Sequence, residues 1–315
     1  MHPFVSRVVT RAWGTARRHP RLRAVLRVLL APIRHVLPHR GVPPVPAPPG
    51  DAGDPVTYRR WVALHDGFGA ADLAAIRMGV AAMATRPRVS VLLPVGEAAP
   101  ALLERAIASV RRQAYAGWEL CLAPLAALPP GLAAVMEAAR AADPTRVKVA
   151  AAAAPAAGPP GAARAAALNR ALALATGDLV VMPGAADLLA PQALYLLASA
   201  YDRHPETVLA YADADRITPA GGREAPHFKP DFDPDLLLGQ DYVSRSAAFP
   251  RALLLRLGGL REALGAAADY DLALRVVAAG GAGRVRHVAA VLFHRAGADA
   301  PAPGAAEAGQ AVADF

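Results

Sequence analysis

The sequence predicts an α/β protein with a mostly parallel sheet flanked by helices, and three observations carry that prediction. First, short and mostly apolar runs recur, among them Arg88 to Pro94, Trp118 to Ala123, Leu179 to Met182 and Val208 to Ala212. They are the length of strands and too apolar for sheets with one wet face. Second, stretches with helical periodicity separate them. Leu102 to Gln113, for example, sets Leu103, Ile107 and Val110 on one face against Arg105, Arg111 and Arg112 on the other. Third, helix stops and starts fall between the two kinds of segment, as at Gly177, Pro191 and Pro205.

The chain has 315 residues, enough for one large domain or two modest ones. Its net charge of +8 is unevenly placed. Residues 1–50 hold nine arginines and no Asp or Glu, so the remaining body is close to neutral. A nucleic-acid-binding body carries basic charge and interleaved aromatics on its own surface, and no nucleic-acid partner is expected here. Cys121 is the sole cysteine, set in an apolar run, which excludes an intrachain disulfide and predicts a buried thiol in a reducing compartment. With no run of strongly apolar residues long enough to span a bilayer and no compact signal sequence, the expected location is cytoplasmic.

In chain order, Arg21 to Val36 places Leu22, Val25, Leu26, Leu29 and Leu30 at helical spacing among arginines. That is the profile of a basic helix lying on an anionic membrane, through residues 1–40 and peripheral on the inner face. A basic tail without fixed structure fits equally, and an Arg-rich, acid-free start also resembles a transit peptide. Residues 41–50 form a Pro-rich linker, and 51–87 a helical preface with helices over Tyr58 to Leu64 and Ala70 to Met83. The main domain is expected over 88–295. After its first strand and helix come a strand over Trp118 to Ala123, a helix over Leu132 to Ala142 and a strand over Arg146 to Ala150. A low-complexity loop over 151–161 and a helix over Ala162 to Thr176 follow. The strand Leu179 to Met182 then runs into a small-residue turn, and Gln192 to His204 is helical. Beyond the strand ending at Asp213-Ala214-Asp215, residues 228–235 read as an irregular acidic loop and Tyr242 to Phe249 as a strand. Gly258-Gly259 reads as a turn, Asp269 to Ala279 as a helix and Val288 to Phe293 as a last strand. Residues 296–315, rich in Ala and Gly, are expected to be a disordered tail.

Eight segments occur in an order that resembles the family 2 glycosyltransferases, whose fold is the GT-A nucleotide-diphospho-sugar transferase fold. They are VSVLLPV (89–95), SVRRQAYAGWEL (109–120), ALNRALALATGD (167–178) and ADLLAPQALY (186–195), then YADADRI (211–217), FKPDFDPDLLLGQDYV (228–243), LGGLRE with ADYDLALRV (257–262 and 268–276), and HVAAVLFHR (287–295). The resemblance implies transfer of a sugar, with inversion, from a nucleotide-sugar donor to a glycan or lipid-linked acceptor, as in polysaccharide and cell-envelope synthesis. It implies Asp269 as the base that deprotonates the acceptor. Asp187, His294 and Asn169 match donor- or metal-proximal positions, and Asp213, Asp215 and Asp271 acceptor- or metal-proximal ones. As residues alone, Asp269 and Asp271 also suit a helix start, and Asp213 and Asp215 a turn.

The departures from the family lie on the donor side. Pro124 and Leu125 stand where an acidic pair contacts the nucleoside, and Pro94-Val95-Gly96-Glu97 lacks the family's aromatic and amide. Gly184 and Ala186 replace the two carboxylates of the Asp-x-Asp turn that holds Mn²⁺ or Mg²⁺. Arg164 is the basic residue placed to neutralise a phosphate instead. Two readings follow: a transferase with an atypical donor site, or a catalytically impaired relative that binds a glycan or a partner protein.

Overall fold

The computed structural model describes residues 54–96, 99–153, 158–218, 220–296 and 305–313. The basic segment, the Pro-rich linker and the membrane-binding reading of residues 1–40 lie outside the described residues. The chain divides between Ala84 and Thr85 into two compact units. In the first, helix α1 (Pro55–His65) is capped by Asp54, whose carboxylate accepts the backbone N–H groups of Val56 and Thr57 at 3.2 and 2.8 Å. Tyr58 and Trp61 stack with ring centroids 5.6 Å apart. In α2 (Ala70–Ala82), the Asp72 carboxylate reaches back to the Gly69 N–H at 2.9 Å.

The second unit is built on one nine-stranded sheet in the order β3-β2-β1-β4-β8-β6-β9-β5, with β7 paired to β6. Its elements are β1 (Val89–Val95), α3 (Pro100–Arg111), β2 (Trp118–Pro124), α4 (Pro130–Ala142), β3 (Val147–Val149), α5 (Ala162–Leu174), β4 (Leu179–Val181), β5 (Leu188–Leu189) and α6 (Ala193–Arg203). They continue with β6 (Leu209–Ile217), β7 (Arg223–His227), α7 (Pro234–Gly239), β8 (Ala247–Pro250), α8 (Arg251–Arg256), α9 (Ala268–Gly280), β9 (Val285–Ala296) and α10 (Ala305–Ala313). Strands β1, β2, β3, β4, β6 and β9 run one way, and β5, β7 and β8 run against them. The sheet is therefore mostly parallel. All seven residues of β1 and of β2 are buried, as their apolar sequence requires in a sheet covered on both faces.

One acidic residue in those strands is Glu119, in register with Ser90 of β1. It is wholly buried and accepts from Ser90 Oγ (2.6 Å), Thr176 N (2.5 Å), Thr176 Oγ1 (2.8 Å) and Gly177 N (3.0 Å), and it pairs with Lys148 (2.9 Å) and Arg88 (3.2 Å). Burial pushes its pKa up, but the hydrogen bonds from Ser90, Thr176 and Lys148 outweigh that and hold it at about 2. Glu119 thus ties the amino ends of β1, β2 and β3 to the entrance of β4. Cys121, two residues on, is fully buried, and desolvation lifts its thiol to about 12, which makes it inert.

The structure corrects several expectations. Strand β6 continues through Asp213 and Asp215 to Ile217, where a turn was an open reading, because β9 and β7 supply ladder partners on both sides. Tyr242 to Phe249 is not one strand: a 3-10 turn at Ser244–Ser246 precedes the short β8. The loop expected over 228–235 ends in α7, opened by Asp233, whose carboxylate accepts from Asp235 N and Leu236 N. Residues 305–313, expected within a disordered tail, form α10. It packs on α9 and the 3-10 turn Glu262–Ala267, with Ala311 buried in the core. Alanine is the strongest helix former, and here it also has a surface to pack on.

Candidate active site

The parallel strands end together at Val95, Pro124, Val149 and Val181, and that edge is where open α/β sheets place ligands. Beyond β2 and β3 lies a cleft of about 210 Å³ lined by Pro124, Leu128, Met136, Val149 and Ala150. Beyond β4 lies the turn of residues 182–187. In it the Gly184 N–H donates to Asp187 Oδ2 at 2.8 Å, and the Asp187 N–H to the Gly184 carbonyl at 3.0 Å. Asp187 Oδ1 accepts from Ala296 N at 3.2 Å. Both carboxylate oxygens of Asp187 therefore hold backbone, and a Cβ on Gly184 would lie 3.0 Å from Oδ2. Among the described residues no three His, Cys, Asp or Glu side chains group as a metal site. The turn supplies one carboxylate, Asp187, where the family pattern has two more, and both its oxygens already accept backbone N–H groups.

Asp187 and His294 come together through the sheet. β5 pairs with β9 so that Leu188 stands opposite His294, and β9 pairs with β6 so that His294 stands beside Asp215. His294 Nδ1 is 2.6 Å from Asp215 Oδ1, and Arg223 Nε donates to Asp215 Oδ2. His294 is 9% exposed and Asp215 1%, so this is a buried charge network. Asp213, two residues back, belongs to a second network. Its Oδ1 accepts from Lys229 N (3.0 Å) and lies 2.8 Å from His287 Nε2. Lys229 donates from Nζ to Ser246 Oγ, and burial, reinforced by the nearby Arg295, lowers its pKa to about 7.

Asp269 lies in the first turn of α9, 8% exposed. Ala267 is the N-cap, and Asp269 and Asp271 both lie in the first turn, as residues that suit a helix start, without the Asp269 carboxylate capping an N–H group. Its Oδ2 instead pairs with Arg164 Nη1 of α5. Asp271 faces elsewhere. Arg275 donates to its Oδ2 from Nε (2.8 Å) and Nη2 (2.6 Å), and reaches the carbonyls of Leu257 and Gly259 as well. Asp271 thus anchors the Gly258-Gly259 turn rather than the reacting end of the site. Asn169 does similar work from α5: Nδ2 donates to Leu260 O and Oδ1 accepts from Leu260 N, both at 2.9 Å.

The approach of α5 to the loop before α9 is unusually close. At Gly161, with φ of +95°, a Cβ would lie 2.6 Å from Ala266 N, and one at Gly265 would collide with the Pro160 carbonyl. Two glycines are therefore required where α5 meets the loop before α9. Neither contact can be read from the sequence, and Lys229, His287, Arg223 and Glu119 were also not singled out. Each is identified by a partner on another element, from eight residues away for Arg223 to 74 for His287.

Comparison with known proteins agrees with this architecture. No family model matches the chain. The O-antigen biosynthesis protein RfbC of Myxococcus xanthus is 35% identical over 294 residues, which is 93% of this chain and 21% of that protein. The uncharacterized protein y4gI of Sinorhizobium fredii (strain NBRC 101917 / NGR234) is 38% identical over 207 residues, 66% of this chain and 22% of that protein. Residues 1–349 of S. aureus TarS superpose with a TM-score of 0.52 at 18% identity, covering 66% of this chain and 60% of that one. The complex of the same TarS fragment with UDP-GlcNAc gives a TM-score of 0.52 at 17% identity, over 69% of this chain and 61% of that one. The chain has a family 2-like glycosyltransferase fold. It spans about a fifth of the length of the curated relatives it matches. In this fold, Asp269 lies in the first turn of α9, and the turn after β4 holds the single carboxylate of Asp187. Among the described residues, no helix is long and apolar enough to cross a membrane.

Proposed function

We propose that the chain transfers a sugar, with inversion, from a nucleotide-sugar donor to a glycan or lipid-linked acceptor in polysaccharide synthesis. The observation that carries this reading is Asp269, a carboxylate in the first turn of α9 at the ligand-binding edge, bonded to no backbone group. Its relative named for O-antigen biosynthesis supports the substrate class. In the reaction, Asp269 takes the proton of the acceptor hydroxyl. The acceptor oxygen forms the new bond to the anomeric carbon as that carbon's bond to the nucleoside diphosphate breaks, and the diphosphate departs as an anion. The nucleoside lies over the apolar cleft beyond β2 and β3, where Pro124 replaces an acid. The domain works in the cytoplasm, with residues 1–40 on the anionic inner face of a membrane.

A second reading is favoured by the turn at 183–187: without carboxylates for a cation, the chain is an impaired relative that binds a glycan or a partner protein. Calorimetry with nucleotide sugars, UDP-GlcNAc included, with and without Mn²⁺, separates the two. Heat of binding supports the transferase, and no heat with any nucleotide sugar refutes it. Metal-dependent binding would exclude the impaired-relative reading. Once an acceptor is found, Asp269→Asn should abolish turnover, a loss of about 10²-fold or more, while donor binding persists. Retained turnover would remove Asp269 as the base.

A further inference from the structure

The candidate base and the basic residue nearest the donor side, 105 positions apart in sequence, are bonded to each other. Among the described residues, Asp269 is the one hydrogen-bond partner of the Arg164 side chain. A carboxylate oxygen that holds an arginine is not available to an acceptor hydroxyl. A guanidinium bound to a carboxylate is also held back from a phosphate. As they stand, each group occupies the other.

We propose that Arg164 is a shared cation that exchanges between two anions, the Asp269 carboxylate and the diphosphate of the nucleotide donor. This rests on the transferase reading above. When the diphosphate takes the guanidinium, one side-chain movement places positive charge on the leaving group and frees Asp269 to accept the acceptor's proton. No bond other than hydrogen bonds changes in this step.

The placement of α5 supports the exchange. Its far end is fixed at the amino ends of the strands, where Thr176 N and Gly177 N donate to Glu119. Midway, Arg170 Nη2 donates to the carbonyl of Pro124, the last residue of β2. Arg164 lies six residues nearer the helix start than Arg170, about 9 Å further along the axis. It therefore stands toward the carboxyl ends of β1 and β2, the strands on which α5 packs. The Arg164 side chain is 25% exposed against 11% for Asp269, so an incoming anion meets the guanidinium first. A planar guanidinium grips carboxylate and phosphate with the same fork geometry, which makes the two anions true competitors. The contacts at Gly161 and Gly265 fix the helix start against the turn before α9, so the exchange is a rotation of the arginine side chain rather than a shift of backbone. The turn at 183–187 provides no carboxylate for a cation, which leaves the donor's charge to be met by side chains such as this one.

The test is a double-mutant cycle on the full chain, measuring the affinities of UDP, GDP and dTDP by calorimetry in EDTA. Arg164→Gln should weaken binding about tenfold or more, and Arg164→Lys should weaken it less. Asp269→Asn should tighten binding roughly fivefold, because the guanidinium no longer has to leave a carboxylate. That tightening should vanish in the Arg164→Gln background. If Asp269→Asn tightens binding equally with and without Arg164, the effect is plain repulsion and the exchange is refuted. Unchanged or weakened affinity in Asp269→Asn refutes it as well. A flat cycle in a chain that binds a nucleotide removes this inference alone, whereas a wild-type chain that binds none of the three, in EDTA or with Mn²⁺, removes the transferase reading beneath it. Asn and Gln keep the side-chain shape, and a native circular dichroism spectrum for each variant assigns any loss to the missing charge.

Discussion

Replacing Glu119 with Gln tests how the sheet is held at its amino edge. The carboxylate is wholly buried, accepts four hydrogen bonds from Ser90, Thr176 and Gly177, and pairs with Lys148 and Arg88. Its pKa of about 2 in the folded chain stands against an ordinary 4.5, a difference that corresponds to about 3 kcal/mol of stability. A depressed carboxylate pKa stabilises fully above the unfolded value, and the contribution is lost as pH falls from 4.5 toward 2. At pH 7, Glu119→Gln should therefore unfold about 3 kcal/mol more easily than the wild type, since the amide leaves donors of Ser90 and Gly177 facing an NH₂ group. At pH 3 the gap should shrink to about 1.4 kcal/mol. Urea unfolding followed by the fluorescence of buried Trp118 gives both numbers, and urea avoids the screening that guanidinium would bring. A gap that does not change between pH 7 and pH 3, or one below about 1 kcal/mol at pH 7, would refute the assignment of Glu119 as an ionised clasp.

Two further substitutions probe the neighbourhood of the site. Burial holds the Lys229 ammonium at about 7, well below its ordinary 10.5, so the unfolded chain binds more protons between those values and this group makes stability rise with pH across that window. Lys229→Met should flatten that rise by up to about 1.4 kcal/mol per pH unit between pH 7.5 and 9.5 in urea unfolding, and an unchanged slope would show that the ammonium is not held down. Gly161→Ala forces a side chain into φ of +95° and against the Ala266 backbone, and should cost about 2 kcal/mol or more of stability. A thermal midpoint equal to wild type would mean that the two segments are not in contact.

Much of the fold was legible because its signals are local. β1, β2 and the helices α3 to α6 are marked by period and by turn residues, and the structure moves their ends by only a residue or two. The missed strands β5 and β7 have two and five residues, too few for any period to show, and of the strand expected over Tyr242 to Phe249 only the end is extended, as β8. Asp213 and Asp215 looked like a turn because Asp is a poor strand former. Their place in β6 depends on His287, His294 and Arg223, which bond to them from other strands. The site residues were found as single positions matched to a family, and what they do with one another was not visible. Asp271 and Asn169 turned out to bind the 257–260 segment, whereas Arg164 and Asp269, picked for separate reasons, form one pair. α10 was missed for the opposite reason, since an alanine-rich run shows no contrast between faces until its packing partner is known.

The hydrogen bonds of Asp187 bear on how such a domain changes over time. Because its carboxylate binds Gly184 N and Ala296 N directly, the turn after β4 keeps its shape through groups of the chain itself, with no ion needed to pin it. Position 186 can then vary without unfolding the loop, whereas a side chain at 184 would press on the very carboxylate that holds the turn. A lineage could drop its cation in a single step and remain folded long enough for selection to act on whatever charge, such as Arg164, stands nearby.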